Sequence, residues 1–152
     1  MAFDFKAVGD AIAVRFGPTI VTAPSGETNI QQSTTSLPAT ISDEPVVFVF
    51  PPDINFEYGP GLRKGVAVYP VRFYIYKVRN NERNTDLLNN WMTALYATLD
   101  GQAHLGLSST VNYAVMSNVQ PGPLTYGGTE YHGLEWKVSV KLGEGMTVTA
   151  GA

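Results

Sequence analysis

From Ala67 onward, apolar and mixed positions alternate along the chain. Ala67, Tyr69, Val71, Phe73 and Ile75 interleave with Val68, Pro70, Arg72, Tyr74 and Tyr76. This period of two predicts one long strand with an apolar face and a mixed face. After the polar stretch KVRNNERN, Leu88, Trp91, Met92, Leu95 and Leu99 recur at helical spacing, so an amphipathic helix follows and buries its stripe on the sheet. Asn84 or Thr85 is the N-cap candidate, Asp86 suits the positive end, and Gly101 is placed to stop the helix in a left-handed conformation.

The flanking segments read as what covers this unit. Phe5, Val8, Ile12 and Phe16 predict a short helix from Asp4 to Phe16, weakened by Gly9, capped by Asp4 and ended by Gly17-Pro18. Thr19 to Thr22 reads as a short strand. Residues 23–40, APSGETNIQQSTTSLPAT, have hardly an apolar anchor and read as an exposed connection or arm. VVFVF, Val46 to Phe50, suits a strand covered on both faces and closed by Pro51-Pro52. Residues 53–65 read as a hairpin-like excursion with a basic tip.

Further on, Val111 to Val119 alternates as a strand, whereas Gln120 to Gly128, with its prolines and glycines, reads as a turn or bent connection. The last strand runs from Tyr131 to Leu142, with His132, Leu134, Trp136, Val138, Val140 and Leu142 on one face. The tail EGMTVTAGA reads as a short added strand or a frayed end. No internal repeat is visible. The expected fold is α+β: a mostly antiparallel twisted β-sheet with two helices packed on one face, in a single domain spanning residues 1–152 with extended loops 23–40 and 53–65.

Composition narrows the role. Charged residues make up 15% of the 152-residue chain and hydrophobic ones 44%, against about 25% charged in an average soluble domain. Such a surface suits coverage by other subunits. Cysteine is absent, which removes disulfides, thiolate ligands and thiol nucleophiles and fits folding in a reducing cytoplasm. The net charge of −3 offers no drive for nucleic-acid binding beyond transient, non-specific contact with passing DNA. No apolar run approaches the roughly 20 residues of a membrane span, and MAFDFKAVGD lacks a signal-peptide core.

Candidate chemistry is thin. His104 and His132 stand far apart with no ligand at metal-binding spacing. No serine lies in a GxSxG elbow, and GPGLRKG lacks the strand-loop-helix setting of a phosphate loop. Asp43-Glu44 and Glu82 with Asp86 are accounted for by solvation or capping. The expectation is therefore no catalytic residue, no metal and no cofactor. Interaction residues are the alternative. The excursion carries Phe56, Tyr58, Leu62, Arg63 and Lys64, either folded back onto the sheet or docked into a neighbouring subunit, since aromatics with arginine favour interface centres. Lys77, Arg79 and Arg83 form a basic turn, read as a solvated strand end or as a patch facing phosphate or an acidic partner.

An N-terminal helix ended by Gly-Pro, a polar connection, EPVVFVF, the run VAVYPVRFYIYKVRNNERNTDLLNNWMTALYATLDG and the closing YHGLEWKVSV together resemble the tail-terminator proteins of long-tailed, siphovirus-type bacteriophages. The resemblance covers the chain from about Val8 to Leu142 and rests on the order of elements. Segments 23–40 and 53–65 depart from the family pattern. It implies a structural virion protein forming a hexameric ring at the head-proximal end of the tail, assembled in the host cytoplasm. Such a ring caps the tail tube, ends its polymerisation and offers a surface to the head-side connector or stopper protein. On this reading the 53–65 loop and the strand face Arg72, Tyr74 and Tyr76 contribute to subunit contacts, and Lys77, Arg79 and Arg83 face the lumen or an adjoining ring. The alternatives are a head-completion or stopper protein, and a small ligand-binding domain with a pocket lined by Trp91, Tyr96 and Trp136.

Overall fold

The alternation that starts before Tyr69 builds the central strand of a sheet. A computed structural model describes residues 2–59, 62–78, 85–99, 113–142 and 147–148. The elements are β1 (Ala2–Phe3), α1 (Phe5–Arg15), β2 (Gln32–Thr34), β3 (Val46–Val49), β4 (Asp53–Gly59), β5 (Leu62–Lys77), α2 (Thr85–Leu99), β6 (Tyr113–Tyr126), β7 (Thr129–Leu142) and β8 (Thr147–Val148). Six strands form one sheet of order β2-β3-β5-β7-β6, with β4 also on β5. Only β2 on β3 is parallel within it. The short β1 and β8 pair separately, in parallel. The fold is α+β, as the sequence pattern leads one to expect.

The odd-numbered face of β5 holds the main core. Ala67, Tyr69, Val71, Phe73 and Ile75 are buried with Val8 and Ile12 of α1 and its C-cap Phe16, Leu87, Trp91 and Leu95 of α2, and Leu134, Trp136, Val138 and Val140 of β7. Both helices therefore lie on one face. Each large side chain buried there contributes about 1.5–3 kcal/mol. Leu87, outside the expected stripe of α2, is buried, whereas Leu88 and Met92 are only partly so.

Helix α1 begins where its cap dictates: the Asp4 carboxylate accepts from the backbone N–H of Lys6 and Ala7 at 3.0 and 3.1 Å. Gly9, a weak helix former, has a packing reason. A Cβ there would stand 3.2 Å from Thr35 Cγ2 and 3.4 Å from Tyr69 Cε2, so the glycine lets the helix settle against the sheet. Tyr69 ties the same interface by donating to Phe5 O at 2.8 Å.

Three expectations need correction. The polar segment 23–40 is no free arm: β2 lies within it and pairs with β3, Ile30 is buried, and the Ser33 and Thr35 hydroxyls donate to Ala13 O and Asp10 Oδ1, each at 2.5 Å. Thr19 and Ile20 lie in a turn, and Val21 and Thr22 are irregular, so no strand forms there. Pro51-Pro52 does close β3, which ends at Val49; β4 then starts afresh at Asp53, with residues 50–52 facing residues 69–70, a one-residue bulge. Gln120 to Tyr126 is strand, not turn. Pro121 and Pro123 are tolerated because β6 is an edge strand whose outward N–H groups have no described partner. The turn proper is Gly127-Gly128, with φ of 58° and 81°, the left-handed pair that a two-residue hairpin needs.

Candidate interaction surface

The excursion at 53–65 is a true hairpin. β4 pairs with β5 from Asp53↔Val68 to Gly59↔Leu62, in unbroken register. On the other side of β5, β7 ends its pairing at Gly65↔Leu142. Among the described residues, the pairs Glu57↔Lys64, Tyr58↔Arg63 and Gly59↔Leu62 therefore run past β7 as a two-stranded ribbon. Phe56 is 38% exposed and sits opposite Gly65. Tyr58, Leu62, Arg63 and Lys64 take their backbone places in the ribbon, and their side chains lie outside the described residues.

The strand face Arg72, Tyr74, Tyr76 does not survive as one exposed surface. Tyr74 is fully buried in a second cluster with Ile41, Val46, Phe48 and Tyr131, on the face away from the helices. A register shift between Tyr74 and Tyr76 then turns Tyr76 to His132, with ring centroids 5.0 Å apart, and against the helix-side core. Tyr76 stays half-buried, and so does Arg72. Its Nε lies 2.6 Å from Glu135 Oε2, and its guanidinium stands 5.3 Å from the Phe50 ring centroid.

Lys77 is exposed at the far end of β5; Arg79 and Arg83 lie outside the described residues. With 16 residues in β5 at about 3.3 Å each, the hairpin and basic ends stand about 50 Å apart along the strand. They are separate surfaces.

The second face carries aromatics that strand-by-strand reading does not assemble. Phe48, Tyr74 and Tyr126 stand within 5.1–5.6 Å of one another by ring centroids, and Tyr131 lies 5.5 Å from Tyr74. The Tyr126 hydroxyl donates to Pro38 O, tying the segment after β2 across this face. Burial pushes the Tyr74 phenol above its ordinary pKa, and the nearby Arg72 guanidinium pulls against that shift. Tyr131 is raised as well, by burial first and then by the charge of Glu44. The available signal was the unbroken apolar run VVFVF: Val46–Val49 is buried throughout, which demands cover on both faces.

A cavity of about 400 Å³ opens beside this cluster between Gln31, Ile41, Asp43, Val46 and Phe48. Asp43 is the charged group of its lining, so no acid and base converge there. Trp91 and Trp136 are core residues and Tyr96 is 76% exposed, so these three do not line a common pocket. Among the described residues no group of three or more His, Cys, Asp or Glu converges to hold a metal ion. Nor is any helix among them long and apolar enough to cross a membrane. His104 lies outside the described residues.

No protein-family model matches the chain, and no curated protein matches it.

Proposed function

We propose that this chain is a non-catalytic virion protein that assembles into a hexameric ring at the head-proximal end of a bacteriophage tail. There it caps the tail tube, ends tube polymerisation and offers a surface to the head-side connector. The observation that carries the reading is the hairpin running past its sheet, at the opposite end of β5 from the exposed Lys77. A capping ring must hold its neighbours and also meet partners above and below, and surfaces about 50 Å apart on one strand suit those separate tasks. Low overall charge supports the same reading, since several faces are to be covered. Contact with passing DNA is at most non-specific.

Electron microscopy of particles made without this protein tests the proposal. Overlong tails or polytubes are the expected result. Tails of normal length with heads that leak their DNA would instead assign the protein to the stopper position, between the head and a tail completed without it.

A further inference from the structure

A closed ring of identical copies needs two different patches on each subunit, one for each neighbour. The β4–β5 hairpin supplies one, at the end where β5 begins. The groove beside the aromatic cluster lies toward the other end. Gln32 pairs with Val46, Val46 with Tyr74 and Phe48 with Arg72, which sets the groove around the level of Arg72 to Tyr74. From Leu62 to Tyr74 along β5 is about 40 Å at about 3.3 Å per residue. A hairpin therefore cannot reach the groove of its own chain.

The groove has the anatomy of an interface, an apolar floor inside a polar rim. Ile41, Val46 and Phe48 are buried at its floor, and Gln31, Ser42 and Asp43 are exposed around it. Its volume of about 400 Å³ is at the small end of pocket sizes, roughly 300–1,000 Å³. That suits side chains of an inserted ribbon and is too small for a whole helix. Exposed apolar residues stand at both places: Leu37, 40% exposed, adjoins Pro38 of the lining, and Phe56, 38% exposed, is on the hairpin.

Charge agrees. Asp43 is the charged residue of the lining, and Lys77, exposed at the same end of β5, is outside it. Glu44, next in the chain, adds a carboxylate whose Oε2 is buried with no hydrogen-bond partner among the described residues, a group that a cation would complete. The hairpin carries Arg63 and Lys64 against the single acid Glu57 in its ribbon.

We infer that the β4–β5 hairpin of one copy docks in the groove at Asp43 of the next, its Arg63 and Lys64 facing Asp43 and Glu44, so that subunits join head to tail. This rests on the ring reading and specifies its junction.

The chain has no cysteine, so introduced thiols report the contact cleanly. A short bis-maleimide should convert the double variant Ser42→Cys, Leu62→Cys into a ladder of covalent multimers above dimer. An equal mixture of the two single variants should give dimers only, and either single variant alone should give none. Arg63→Glu with Lys64→Glu should raise the concentration of half-assembly, read by light scattering, at least about tenfold, because like charges then face each other. Adding Asp43→Lys should recover most of that loss, with melting temperatures unchanged throughout. Dimers from Leu62→Cys alone would show a hairpin-to-hairpin contact and overturn the inference. Rings that assemble normally in every charge variant and give no ladder would overturn the docking and leave the ring. A strict monomer at high concentration would remove both.

Discussion

On the helix side of the sheet, β5 presents Tyr69, Val71, Phe73 and Ile75 to two amphipathic helices, and Trp91 meets Phe73 edge to face at 4.8 Å. On the other side Tyr74 packs with Phe48, Tyr126 and Tyr131 under a segment of loop pinned by one tyrosine hydroxyl. The helix side adds a few polar ties to α1, among them the Tyr69 hydroxyl on Phe5 O, but its helices satisfy most of their own backbone and offer mainly apolar side chains. The loop side uses tyrosines, whose rings bury apolar area while one hydroxyl, that of Tyr126, serves the Pro38 carbonyl. The difference teaches that stability is concentrated on the helix side, while the loop side is the face able to open locally.

The most damaging test is Trp91→Ala, which empties a fully buried site between α2 and the sheet. It should cost about 3–5 kcal/mol in chemical denaturation; a loss below about 1 kcal/mol would mean that α2 contributes little to the fold. Gly133→Ala probes the loop side, where a Cβ would stand 2.4 Å from Phe73 O and 2.7 Å from Leu124 Cδ1. Since the nearer atom is backbone, the expected cost is about 1–3 kcal/mol, and an unchanged melting temperature would show that β7 can shift freely. Tyr126→Phe removes only the bond to Pro38 O and should cost about 1 kcal/mol. Amide exchange should quicken in residues 37–43 while the amides of α1 and α2 stay protected; equal acceleration on both sides would erase the distinction between the faces.

The smallest effect concerns acid. The Thr35 hydroxyl first, and the Lys6 ammonium second, hold the Asp10 carboxyl below its ordinary value of 3.8. A lowered folded-state value means the contribution is complete above about pH 4 and fades as pH falls through the lowered value. The tie between α1 and the segment after β2 should loosen on acidification in the parent protein. Asp10→Asn should lose that component of the pH dependence, measured as melting temperature between about pH 5 and pH 2.

How much of this was legible follows from what each element needs. Helix α1 could be read because its cap and stripe are local, β5 and β7 because period-two burial is written along each strand, and β3 because its unbroken apolar run demands cover on both faces. Strand β2 could not be read: Gln32–Thr34 has no apolar alternation, and it is a strand because β3 supplies a ladder and α1 supplies acceptors for Ser33 and Thr35. The prolines of β6 argued for a turn until its edge position removed the need for their N–H groups. Among the interaction candidates, the hairpin was legible from its Gly-Pro-Gly centre. The burial of Tyr74 and the turning of Tyr76 were not, because a tyrosine is equally at home under a loop or at a surface, and a bulge leaves no mark in a single strand.

By itself, then, the chain's pattern determined the elements with a strong internal period, the face each one buries, and the absence of cysteine chemistry. Tertiary structure alone decided which strands are neighbours, which edges stay bare, where the register slips and which aromatics share a cluster. The physical reason is that periodicity records the solvent exposure of successive residues, a local quantity. Pairing and register depend on hydrogen-bond partners many residues away, and those exist only once the chain has closed on itself.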